Sequence, residues 1–209
     1  MLNSDNHNSS ESILIDIAET KGKNYIERKK ALDKIKDIKA LNYLAFNASD
    51  EWIKLEAAIK SENHNALLYL INNTDDEGLK LEASIVLENE EKLAELAIHC
   101  KEYYRGSLAI KFISNPKLLE NVINNSIHEG LKAEAALKLK DNILIANLAR
   151  RIHDDWIRYK LAVSISDIDL LVEIAKNSRD KRVQQMAYER FDEIINEIHL
   201  DSNYIEYEE

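Results

Sequence analysis

Residues 51–71, EWIKLEAAIKSENHNALLYLI, and residues 77–97, EGLKLEASIVLENEEKLAELA, superpose without a gap at a spacing of 26. The same spacing carries an Asp or Asn through the chain, at Asp37, Asn63, Asn89, Asn115, Asp141 and Asp167. Each is followed seven residues later by an apolar pair: Leu44-Ala45, Leu70-Ile71, Leu96-Ala97, Val122-Ile123, Leu148-Ala149 and Ile174-Ala175. Self-similarity at a fixed period of this length belongs to stacked repeats, in which each unit buries its apolar face against its neighbours.

Each unit reads as two short helices. The first, here the A helix, starts at the Asp/Asn row, where a side-chain oxygen can accept from the orphan N–H groups of the first turn, and Pro116 directly after Asn115 stands where proline fits best. Its apolar residues then follow at three-and-four spacing, as in Leu67, Leu70 and Ile71. The second, the B helix, carries an acid, an aliphatic, a basic residue and then small residues. The row Ala31, Ala57, Ala83, Leu108, Ala135, Leu161 and Ala187 is expected to be the seam between successive B helices. Glu51 with Lys54, Glu77 with Lys80, Glu102 with Arg105, Glu129 with Lys132 and Asp155 with Arg158 read as i,i+3 ion pairs at helix N-termini.

Composition sets outer limits. Four glycines and one proline in 209 residues disfavour a turn-rich sheet protein. A single cysteine, Cys100, allows no internal disulfide, and the start MLNSDNHNSS lacks a basic segment followed by an apolar one, so a cytoplasmic setting is expected. No segment is apolar enough to span a membrane, and a formal charge of −10 opposes broad association with nucleic acid.

The segments EWIKLEAA, EGLKLEAS, EGLKAEAA and DWIRYKLA, with apolar A helices between them, resemble the short-repeat bacterial HEAT-like and armadillo-like α-solenoids. The resemblance covers residues 10–191. It implies an all-α fold, a right-handed α-α superhelix of about seven helix pairs, with B helices lining the concave face. Residues 10–200 would form the single repeat domain, with residues 1–9 disordered and residues 201–209 an acidic tail. The sequence leaves open whether residues 192–200 extend the last B helix or form an eighth A helix.

Such families include adaptors and scaffolds, and also enzymes such as DNA-alkylation glycosylases. The leading expectation is a non-enzymatic scaffold that binds a protein or peptide. The alternatives are a HEAT-like enzyme or repair factor and a self-assembling repeat protein. Two surfaces are candidates. One is the outward row of the B helices: Glu56, Lys60, Glu82, Lys111, Glu134, Lys138 and Lys160, with Glu56–Lys60 and Glu134–Lys138 as intrahelical pairs. The other is an aromatic rim in which large and absent side chains alternate, Trp52, Gly78, Tyr103, Gly130 and Trp156, with Tyr104 and Tyr159 nearby. Packing of each aromatic over its neighbour's glycine is the competing reading.

No cofactor is implied. His99, Cys100, His128 and His153 lack any metal-ligand spacing, the glycines form no phosphate-binding loop, and no carboxylate stands out as a catalytic acid or base. The largest apparent break in the repeat is residues 103–108, where the spacing runs 25 then 27 and Leu108 replaces the usual small seam residue. Gly106 is expected there to relieve crowding beneath Tyr103 or Tyr104.

Overall fold

The computed structural model describes the backbone of residues 4–20 and 22–205 and the side chains of residues 11–20 and 22–197. Among these residues the chain is helical and contains no strand. The A helices are α1 (Ser4–Glu19), α3 (Ile38–Asn47), α5 (His64–Asn73), α7 (Glu90–His99), α9 (Pro116–Asn125), α11 (Asn142–Ala149) and α13 (Ile168–Asn177). They alternate with the B helices α2 (Tyr25–Lys34), α4 (Glu51–Lys60), α6 (Glu77–Val86), α8 (Tyr103–Lys111), α10 (Glu129–Leu139), α12 (Asp155–Ile165) and α14 (Lys181–Ile205). Residues 192–200 therefore continue the last B helix. The first helix starts at Ser4, ahead of the expected residue 10, and residues 1–3 and 206–209 lie outside the described residues.

The Asp/Asn row is a row of N-caps. Asp37 accepts from the Lys39 and Ala40 N–H groups, Asn63 from Ala66, Asn89 from Lys92, Asn115 from Lys117, Asp141 from Leu144 and Asp167 from Leu170. A second set caps the B helices: Asn24, Asp50, Asp76, Asp154 and Asp180 accept from N–H groups of the following turn. The turn from B to A helix places Glu62, Glu88, Lys140 and Ser166 in the left-handed region, with φ between 50° and 57°. At the first two, the next residue's N–H reaches back, Asn63 to Ala58 O at 2.8 Å and Asn89 to Ser84 O at 2.9 Å. This is the Schellman closure, here without the usual glycine. One residue thus ends the B helix with its backbone and starts the A helix with its side chain.

Packing divides the chain into two compact units, Met1–Leu96 and Ala97–Glu209, with the boundary inside α7. In the first unit α2 touches α4 and α4 touches α6, while α1 touches α3 and α3 touches α5, so like helices are neighbours in two layers. Its core holds the repeat-equivalent Leu41 and Leu67, Leu44 and Leu70, Ile53 and Leu79, and the seam alanines Ala31, Ala57 and Ala83. In the second unit α8, α10, α12 and α14 are neighbours in the same serial way. Its seam is Ala109, Ala135, Leu161 and Ala187, all fully buried.

Ala109 corrects the reading of residues 103–108. Leu108 is only half-buried, and with Ala109 in the seam the spacing of 26 is unbroken. The irregularity is one of polarity: Arg105 stands in the row of Ile53, Leu79 and Leu131, and Gly106 in the row of Lys54, Lys80 and Lys132.

Capping gives a direct test. D167A should lower the stability from urea unfolding by about 1 kcal/mol, and the exposed neighbour change D169A by less than about 0.5 kcal/mol.

Candidate functional site

Four of the charged B-helix residues, Glu56, Lys60, Glu134 and Lys138, are tied to the preceding B helix. In the first unit Lys29 Nζ donates to Glu56 Oε2 at 2.5 Å and Tyr25 Oη donates to Glu56 Oε1 at 3.5 Å. Lys60 Nζ donates to Leu32 O and Asp33 O at 2.9 and 2.6 Å, covering carbonyls in the last turn of α2, where the helix dipole favours a cation. Three repeats later the pattern returns: the Tyr103 hydroxyl donates to Glu134, and Lys138 Nζ donates to Ile110 O and Lys111 O at 2.8 and 2.5 Å. These bonds tie the members of the expected pairs Glu56–Lys60 and Glu134–Lys138 to the preceding B helix. Glu82, Lys111 and Lys160 are exposed.

The acids that open α4, α10 and α12 also join repeats. Glu129 accepts from the His153 and Asp154 N–H groups and contacts His153 Nδ1 at 3.0 Å. Asp155 accepts from the Arg179 and Asp180 N–H groups, and Glu51 from the Thr74 hydroxyl. Of the expected i,i+3 pairs, Glu102–Arg105 and Asp155–Arg158 are in contact, at 3.4 and 3.8 Å. A bond to Ser178, with those two N–H groups, holds Asp155 below its ordinary value. Burial opposes ionisation of Glu129, but its bonds to His153 and Asp154 outweigh it and lower the carboxyl.

The aromatic rim is built largely as packing. A Cβ on Gly130 would lie 2.6 Å from the Tyr103 ring, so Tyr103 occupies the space of the missing side chain, whereas one on Gly78 would lie 3.5 Å from the Trp52 ring, an ordinary contact. Trp156 meets Tyr159 edge-to-face at 6.3 Å. Tyr104, one position from Tyr103, is exposed and receives the Arg105 Nε at 2.9 Å. Gly106 has another cause than the one expected: a Cβ there would lie 2.4 Å from Leu131 Cδ1 and 2.7 Å from Cys100 Sγ. Cys100 is buried, with its carbonyl 3.0 Å from His128 Nε2, and among the described residues no group of His, Cys, Asp or Glu side chains is arranged to hold a metal ion.

The sequence reading missed a different cluster. On α3 and α5, Tyr43, Phe46, Leu68 and Tyr69 are 48, 41, 39 and 49% exposed, and Phe46 meets Tyr69 edge-to-face at 6.1 Å. Tyr43 Oη donates to Glu19 at 3.0 Å, fixing the ring's tip, and that bond raises the phenol's pKa. The signal lay in the repeat itself. Tyr43 and Tyr69 are one period apart, beside the buried Leu44 and Leu70, at the position that holds Glu95, Asn121, Asn147 and Glu173 in later units. The fold takes a polar residue there in four other units, so packing alone does not demand two tyrosines.

No protein-family model, curated protein or solved structure matches this chain. Among the described residues no helix is long and apolar enough to cross a membrane.

The Tyr103–Glu134 tie is measurable. Burial, then the bond to Glu134 and its charge, push the Tyr103 phenol from 10.0 up to about 12. A raised phenol stabilises the fold fully below the ordinary value near 10, and the contribution is lost as pH rises from there through about 12. Tyrosinate absorbance, as the difference between wild type and Y103F, should show this late titration, and E134Q should bring it downward.

Proposed function

We propose that this chain is a helical-repeat protein of the HEAT-like, right-handed superhelical class that binds another protein without catalysing a reaction. Its docking face is the aromatic surface of α3 and α5, and its ligand is a helix or short peptide with an aliphatic stripe. The carrying observation is the pair Tyr43 and Tyr69, exposed in adjacent repeats at a position that elsewhere holds Glu or Asn. With Phe46 and Leu68 they form a contiguous apolar surface on two touching helices. Exposed aromatics of this kind are favoured interface anchors, because they bury much area and lose little rotamer freedom.

The repeat reading is supported by the spacing of 26 and by the serial neighbours within each unit. Of the B-helix residues, Glu56, Lys60, Tyr103, Glu134 and Lys138 already serve the chain's own packing, and Trp52 covers Gly78. Glu82, Tyr104, Lys111, Trp156, Tyr159 and Lys160 would have at most a secondary part in recognition.

The test replaces the aromatics with what other repeats use. Displayed helical peptides are selected against the wild type and measured against Y43N/F46N/Y69N. The variant should keep its helical content, with a stability change near 0.5 kcal/mol per site, and bind the selected peptides at least about tenfold more weakly. Equal binding by the folded variant, or no enrichment at all, would contradict the proposal.

A further inference from the structure

The first helix pair carries an open cavity of about 240 Å³. Its floor is apolar, from Leu14 and Ile17 on α1 and Ala31 on α2, and its rim holds Lys23, Lys30 and Lys34, with Glu27 as the one acid among the lining residues. None of the three lysines forms an ion pair among the described residues, whereas the adjacent Lys29 is held by Asp33 and Glu56. Among the described residues no other helix pair precedes α1 and α2, and an apolar face left open there must be covered by other means. The lysine stems cover part of it and leave the ammonium groups at the edge.

The opposite end of the chain offers the complementary chemistry. α14 has 25 residues, against 9 to 11 for the other B helices. On it Glu189, Asp192, Glu193 and Glu197 fall at i, i+3, i+4 and i+8, on one side of the helix, and all four are exposed. Tyr188, exposed, and Ile195, half-buried, flank this stripe. Arg190 reaches Glu193 at 2.9 Å and Glu197 at 3.5 Å, leaving Glu189 and Asp192 as the acids of the stripe without a cation among the described residues.

We propose that the cavity of the first helix pair receives the acidic, Tyr188-bearing face of α14 from a second copy of the chain, so that copies associate head to tail. Lys30 and Lys34 would face Glu189 and Asp192, and Tyr188 would cover the floor of Leu14 and Ile17. An interface between two different patches of the same molecule is heterologous, so association should grow with concentration into open chains or closed rings. Its attraction must act locally, against the repulsion of two chains of formal charge −10, and therefore be sensitive to screening.

Sedimentation or light scattering of the full chain tests this through charge reversal. Wild type at low ionic strength should rise above its 24.1 kDa mass with concentration, and return to it near 1 M salt, where the Debye length is ~3 Å. The basic-end variant K30E/K34E and the acidic-end variant E189K/D192K should each associate at least about tenfold more weakly alone. Mixed, they can pair through the unchanged cavity and unchanged helix and also through the two reversed patches, so the mixture should associate again, as should the chain carrying all four changes. A mass that stays at 24.1 kDa at every concentration would overturn the proposal. So would association that survives either reversal, or a mixture that stays monomeric.

Discussion

Two helices can pass at close range only where the facing side chains are small, and this chain provides such a position on every B helix but one. Ala31, Ala57 and Ala83 in the first unit, and Ala109, Ala135 and Ala187 in the second, are buried at an interval of 26 or its multiple. Leu161 is the exception and is fully buried too. Local closure supports the interval: at four of the turns from B to A helix a left-handed residue, Glu62, Glu88, Lys140 or Ser166, precedes the Asp or Asn, and at Asn63, Asn89 and Asp167 that next residue closes the B helix with its backbone and opens the A helix with its side chain.

Close passage has a second consequence. Long side chains on one B helix reach the end of the previous one, so charges that are outward by helical period are satisfied internally. Lys60 and Lys138 cover carbonyls, Glu56 and Glu134 receive tyrosine hydroxyls, and Glu129 and Asp155 hold the backbone N–H groups that precede the next B helix. What remains for recognition is the set of residues that the repeat does not use. The aromatic face of α3 and α5 is such a set, because the other units show what the fold accepts at the same position.

The caps, the apolar rows of the A helices and the helical class were legible because each is set by short-range chemistry with a fixed spacing. Asp141 caps its helix through a residue three positions away, and the burial of Leu70 and Ile71 follows from the period. The charge ties were not legible. Glu56 and Lys60 are four apart, which matches an intrahelical pair, and nothing local distinguishes this from a reach of 27 or 28 residues. At residues 103–109 the seam is ambiguous in the sequence because Leu108 and Ala109 are both apolar, and the burial of Ala109 beside the half-buried Leu108 decides between them. Tyr43 and Tyr69 do not stand out in the sequence because they sit on A helices beside the buried Leu44 and Leu70, where apolar residues are expected as packing.

The packing of the B helices depends on the seam, and its most direct measurement is the unfolding free energy of A109L beside that of L108A. With Ala109 between α8 and its neighbours, a larger side chain there should cost about 1–3 kcal/mol through overpacking, and trimming the half-buried Leu108 should cost less. If A109L were neutral and L108A the damaging change, the unbroken interval of 26, and the packing argument built on it, would be wrong.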